Sequence, residues 1–293
     1  MTQFIDLAKL GKNNWWRYVL GLVLIVATPV ALTIIATILY GRIGYQLFGL
    51  NDVVIAFVAV GGFEACLIIG ILLAVKIIHL RPFLTLITPH EFIDWKKFAK
   101  SFGLFFGLIA LATVVDYLLN PSTYEFRLKP ERFLVFAPIG LILTPIQTTA
   151  EELLFRAYLL QSMALVTRNR AALVLASGVL FMLPHLANPE MNAGFWPMAF
   201  YYFLVGAILT IITLKSNSLE MAMGIHAAIN LFAVLIVNYA NSALETESIF
   251  YCTELDPIFT IVSFVVIAVV FYLIMFGVTT TSGATVPQEE KEE

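Results

Sequence analysis

Eight long apolar runs, separated by short polar segments, dominate the pattern of this chain. They lie near 18–40, 54–78, 99–119, 133–164, 171–187, 196–214, 219–239 and 257–279. About 20 apolar residues span the ~30 Å hydrocarbon core of a bilayer as an α-helix. In lipid the backbone must satisfy its own hydrogen bonds, so runs of this length fold as helices. The pattern predicts an all-α, polytopic integral membrane protein with about eight transmembrane helices. Run 133–164 is too long for one simple crossing, which predicts a tilted or broken helix with Pro145 as candidate kink. The chain divides into an N-terminal segment 1–17, a membrane domain 18–279 and an acidic tail 280–293 that is expected to be disordered.

Composition agrees with the pattern. Hydrophobic residues make up 60% of the chain, charged residues 13%, and the mean hydropathy is +0.90. Soluble domains carry about 25% charged residues, so an ordinary soluble domain is excluded. The net charge of −3 says nothing about nucleic acid, and no basic stripe supports such a partner. Cys66 lies in an apolar run and Cys252 in a loop, so no disulfide framework is expected. With the N-terminus inside, the inner segments hold 12 Lys and Arg, and the outer segments hold Arg42, Arg127, Lys129 and Arg132. The positive-inside rule then places a multi-pass protein in the cell membrane with both termini cytoplasmic. Trp15-Trp16 beside Arg17 reads as an interfacial anchor, and 81–100 as an amphipathic helix on the inner surface.

Three polar clusters break the apolar background: Glu151-Glu152 with Arg156, then His185, then His226 with Asn230. A charged side chain at mid-bilayer costs roughly 2.5–3.5 kcal/mol on insertion scales. Such residues must pair, line a watery cavity or do chemistry. Glu152 and Arg156 stand four apart on one helix face and are expected to pair. Glu151 is turned away by about 100°, and an adjacent like charge raises a carboxylate pKa. Glu151 is therefore the candidate base, with Glu152 and Arg156 in support. His185 follows Pro184, where an interrupted backbone suits a cavity wall. His226 and Asn230 share one face of the seventh run, where an imidazole and a carboxamide are candidate oxyanion donors. A base, a partner that holds water and donors for an oxyanion suit amide hydrolysis by water without a covalent intermediate. The H-E-x-x-H zinc helix is absent, and no serine or cysteine stands in a nucleophile motif.

Glu151-Glu152-x-x-x-Arg156, Phe181-x-x-x-His185 and His226-x-x-x-Asn230, in this order, resemble the three motifs of the CAAX protease and bacteriocin-processing family. These are intramembrane glutamate-dependent endopeptidases related to the type II CAAX prenyl protease. The resemblance covers about 133–239 and implies a site between the fourth, fifth and seventh helices. It implies that Glu151 and His185 activate the catalytic water and that His226 and Asn230 form the oxyanion hole. It also implies a peptide or lipidated-protein substrate, such as a prenylated CaaX protein, met in membrane lipid. No cofactor is expected; zinc held by Glu151, His185 and His226 is the alternative. A non-enzymatic immunity or scaffold protein of the same fold is the rival function, and a proton-coupled transporter the next. Oligomeric state leaves no mark in the pattern.

Three further expectations concern placement. Glu64, beside Gly61-Gly62, has no assigned role, and its small neighbours suggest close helix contact. His79 and His90 read as surface or interfacial residues. Counted along the runs at 1.5 Å per residue, Glu151 lies ~27 Å in and His226 ~10 Å in, both near the cytoplasmic side. His185, ~21 Å along its run, falls too far outward to meet them.

Overall fold

Helices occupy all eight apolar runs: α1 (Trp15–Tyr40), α2 (Asp52–Ile78), α3 (Trp95–Leu119), α4 (Pro130–Met163), α5 (Arg170–His185), α6 (Phe195–Ser216), α7 (Glu220–Leu235) and α8 (Pro257–Phe276). The computed structural model describes residues 3–40 and 52–277; Arg42 and the tail 280–293 lie outside them. Six of these helices are long and apolar enough to cross a membrane, while α5 and α7 are shorter apolar helices of 16 residues. The protein is an all-α, multi-pass membrane protein.

Local chemistry sets several helix starts. Asp94 caps α3, its Oδ1 accepting from the amides of Lys96 and Lys97 at 3.0 and 3.1 Å. Asp256 caps α8 in the same way, with Pro257 at the first helical position. The segment 81–100 is not the amphipathic helix that its aromatic and basic residues suggest. Pro82 and Pro89 interrupt it, leaving a single 3-10 turn at Phe83–Leu86 before α3 begins at Trp95. The arginine of the predicted anchor stacks its guanidinium over Trp16, 4.6 Å from the ring centroid.

Helix α4 is 34 residues long, ~51 Å at 1.5 Å per residue. Helical structure continues through Pro138 and Pro145, so the chain is not broken at Pro145. The departure from α geometry comes later, as a wide π turn over Leu153–Leu159. Such wide turns occur often at functional sites, and this one follows directly on Glu151-Glu152.

The connections gather at two ends. At one, which carries most of the basic residues, the N-terminal segment packs on the α2–α3, α4–α5 and α6–α7 connections. Lys12 N donates to His79 O at 2.7 Å, Phe4 N to Asn217 Oδ1 at 2.7 Å, and Asp6 pairs with Arg168. At the other end three short strands form a sheet: β1 (Tyr124–Phe126), β2 (Val237–Tyr239) and β3 (Phe250–Cys252). Strand β3 is central, antiparallel to β1 and parallel to β2. The seventh helix therefore stops at Leu235 rather than reaching 239, and Cys252 sits buried in a strand rather than in a loop.

Close contacts fix the inner helices. A Cβ on Gly206 of α6 would lie 2.8 Å from the Cα of Gly178 on α5, so glycine lets these backbones meet. At Gly61 of α2 a Cβ would lie 2.9 Å from Leu143 of α4, the close contact expected there, while Gly62 faces open space. At ~24 Å, α5 and α7 are shorter than the bilayer core. Loops 186–194 and 236–256 fill the space beyond their last residues, and a cavity forms beneath them.

Candidate active site

The site is built on the last regular turn of α4 and on the two short helices. Glu152 and Arg156 are fully buried, and Arg156 donates to Glu152 Oε1 at 2.8 Å. The same guanidinium donates to the carbonyl of Val205 at 3.4 Å and lies 4.0 Å from the ring centroid of Phe181. The pair expected from the four-residue spacing thus forms and is locked into α5 and α6. Glu152 has a second task. Its Oε1 lies 2.7 Å from His226 Nδ1, and because a carboxylate only accepts, that nitrogen carries the proton.

His185 is oriented similarly. Its Nδ1 lies 2.7 Å from the carbonyl of Phe181, so here too Nδ1 donates. Its ring stacks on Tyr202 with centroids 4.3 Å apart and planes 25° apart. In both neutral rings Nε2 is left with its lone pair free. The two Nε2 atoms face one carboxylate oxygen: Glu151 Oε2 is 3.9 Å from His185 and 3.8 Å from His226. These separations are too long for hydrogen bonds and suit one small polar species between the three atoms. Glu151 Oε2 is buried and has no hydrogen-bond partner among the described residues.

Gln147, one turn before Glu151, completes the group. It donates to Glu151 Oε1 at 3.0 Å and accepts from Asn230 Nδ2 at 3.4 Å. The sequence reading missed it, although its spacing of four from Glu151 was a usable signal. Glu151, His185, His226 and Asn230 line one cavity of about 190 Å³. Its far wall comes from the sheet end. There Glu190 Oε1 accepts from the amide of Ala243 at 2.8 Å and from the Tyr239 hydroxyl at 3.4 Å. Burial pushes the Tyr239 phenol above its ordinary range, which keeps it a donor. Glu190, Tyr202 and Tyr239 carried no sequence signal, because only the tertiary fold brings them to the cavity.

The expected mismatch of depth does not arise. Helix α4 continues 12 residues past Glu151 to Met163, ~18 Å, while His185 lies 15 residues into α5, ~22 Å. Helix α7 starts inside the protein, with Ser218, Leu219 and Glu220 buried and Leu219 N bonded to Ile87 O at 2.8 Å. A shallow count along α7 therefore corresponds to a deep position. Pro184 lies within α5, which remains helical through His185, so no reorientation is needed. Glu64 does not line this cavity; its Oε2 is buried without a hydrogen-bond partner among the described residues.

His185, His226 and Glu151 would be the residues to hold a zinc ion. A tetrahedral zinc with bonds near 2.1 Å sets its ligand atoms roughly 3.4 Å apart. The separations of 3.8 and 3.9 Å are wider, and among the described residues no three His, Cys, Asp or Glu side chains form a metal-ligating group. As they stand, the three side chains are set wider apart than a bound zinc would hold them.

Residues 130–232 match the family model described as type II CAAX prenyl endopeptidase Rce1-like. The likeness covers about a third of the chain. The matched stretch runs from α4 through most of α7 and holds every residue of the three motifs. The chain is also similar to the uncharacterized protein YyaK of Bacillus subtilis, 37% identical over 190 residues. The alignment covers 64% of each protein, so the chain spans less than two thirds of that relative.

Proposed function

We propose that this protein is an intramembrane endopeptidase that hydrolyses a peptide bond with a water activated by Glu151 and His185. One observation carries the reading. A buried carboxylate oxygen with no hydrogen-bond partner among the described residues faces two imidazole Nε2 atoms at water-bridging distance, inside a cavity of an Rce1-like domain. A water there donates one proton to Glu151 Oε2 and one to an Nε2, which leaves its lone pair aimed at a substrate carbonyl. Attack forms the C–O bond as Glu151 takes the proton, which then passes to the leaving amine as the C–N bond breaks.

Asn230 has a second N–H beyond the one given to Gln147 and can donate to the oxyanion. His226 would donate from Nε2 only with both ring nitrogens protonated. Glu152 and Arg156 hold His226 in place. The substrate is a peptide or a lipidated protein held in membrane lipid, with prenylated CaaX proteins as the family precedent, and no nucleic acid takes part.

The test is cleavage of quenched peptides, farnesylated and plain, by purified wild type and Glu151→Gln, each with and without a zinc chelator. The reading expects turnover by wild type, insensitive to chelator, and none by the variant. Chelator loss restored by zinc would move the mechanism to a metal. Turnover by folded Glu151→Gln would overturn the reading.

A further inference from the structure

We propose that the cavity receives its peptide from the non-cytoplasmic face of the membrane. Two independent observations combine. The first is where the cavity has its walls. Beyond Glu151 it is lined by Asn188, Glu190, Asn238, Tyr239 and the exposed Ala243, all from loops or strands at the sheet end. Toward the basic end it is stopped by the fully buried Glu152–Arg156 pair. Further along the same helix, Tyr158 and Gln161 are buried against His79 and Arg81 under the N-terminal segment. The route into the site thus runs through the sheet end.

The second observation is charge. Among the described residues 11 Lys and Arg lie at the basic end and three, Arg127, Lys129 and Arg132, at the sheet end. Two of those three are paired with carboxylates, Arg127 with Glu125 and Arg132 with Glu247. An excess of this size orients the basic end toward the cytoplasm. The mouth then faces the opposite compartment. A site near the cytoplasmic surface, the sequence-based expectation, would need the mouth at the other end of the bundle.

On the peptidase reading, the substrate class is an exported peptide or the outer juxtamembrane segment of a membrane protein, rather than a cytoplasmic lipidated tail. Sidedness itself does not depend on turnover. The test uses single cysteines in a Cys66→Ala/Cys252→Ala background: Ala243→Cys at the mouth, Glu245→Cys as a second exposed position beside it, and Val166→Cys, 90% exposed, at the basic end. Intact cells are treated with a membrane-impermeant maleimide. The proposal expects labelling at 243 and 245 before permeabilisation, and at 166 only after it. The reverse pattern, or equal labelling at both ends, would overturn it.

A second arm offers a single-span reporter with the same test peptide on its outer or its inner flank. Cleavage of the outer flank alone supports the proposal. Cleavage of the inner flank alone would keep the peptidase reading and overturn the sidedness. Cleavage of neither would count against the peptidase reading, with the labelling still deciding the side.

Discussion

Two polar clusters form along helix α4, one around His79 and one around the pair His185 and His226, and they differ in one respect. Near the basic end, His79 Nδ1 donates to the carbonyl of Lys12 at 2.8 Å, and Nε2 accepts from Tyr158 at 2.9 Å. Beside it Arg81 donates to Gln161 at 2.8 Å, and Gln161 donates to the carbonyl of Thr85 at 2.9 Å. Both nitrogens of that imidazole are satisfied, and a Cβ at Gly21 would collide with the Tyr158 hydroxyl. Two turns earlier, Glu151 Oε2 and two Nε2 atoms face each other across a gap and open onto a cavity. A closed network stabilises the fold; an open one keeps the reactivity of its groups available. Burial and residue type alone do not separate these cases, because in both a buried histidine from another element packs on α4.

The largest effect expected on this contrast comes from the wall between the clusters. Arg156→Ala leaves Glu152 buried with only His226 as partner, and should cost about 3–5 kcal/mol, read as a lower melting temperature in detergent. Tyr158→Phe removes the proton that satisfies His79 Nε2 and should cost about 1–3 kcal/mol. A smaller effect follows from pH. Burial holds His79 below its ordinary value of 6.5, so its neutral form is favoured in the folded state. That contribution is fully present above 6.5 and is lost as pH falls through the lower folded value. Melting temperature should therefore drop on acidification, and His79→Asn should flatten that step. Smallest is Asp6→Asn at the half-exposed pairing with Lys9 and Arg168, worth less than ~1 kcal/mol.

Much of this was legible in the sequence, for identifiable reasons. Hydropathy alone placed all eight helices, because lipid leaves the backbone no other solution. The spacing of four identified the Glu152–Arg156 pair, since a local helical period carries it. His79 was read as interfacial because it follows an apolar run, yet the N-terminal segment folds back and buries it. Strands of three residues were invisible, since they are too short to show a periodicity of their own and β1 pairs with β3 over more than 100 residues. Glu190 and Tyr239 were missed for the same reason. The depth of His226 was misjudged because the count began at a loop taken to be at the surface, where Leu219 is fully buried.

The most direct test of the contrast measures peptide cleavage and melting temperature on the same preparations of wild type, Glu151→Gln and Tyr158→Phe. The account predicts that Glu151→Gln loses cleavage by about 100-fold or more while its melting temperature stays near that of wild type. Tyr158→Phe should melt lower and cleave, per folded molecule, as wild type does. Wild-type turnover in Glu151→Gln, or a loss of cleavage per folded molecule in Tyr158→Phe equal to that of Glu151→Gln, would contradict it.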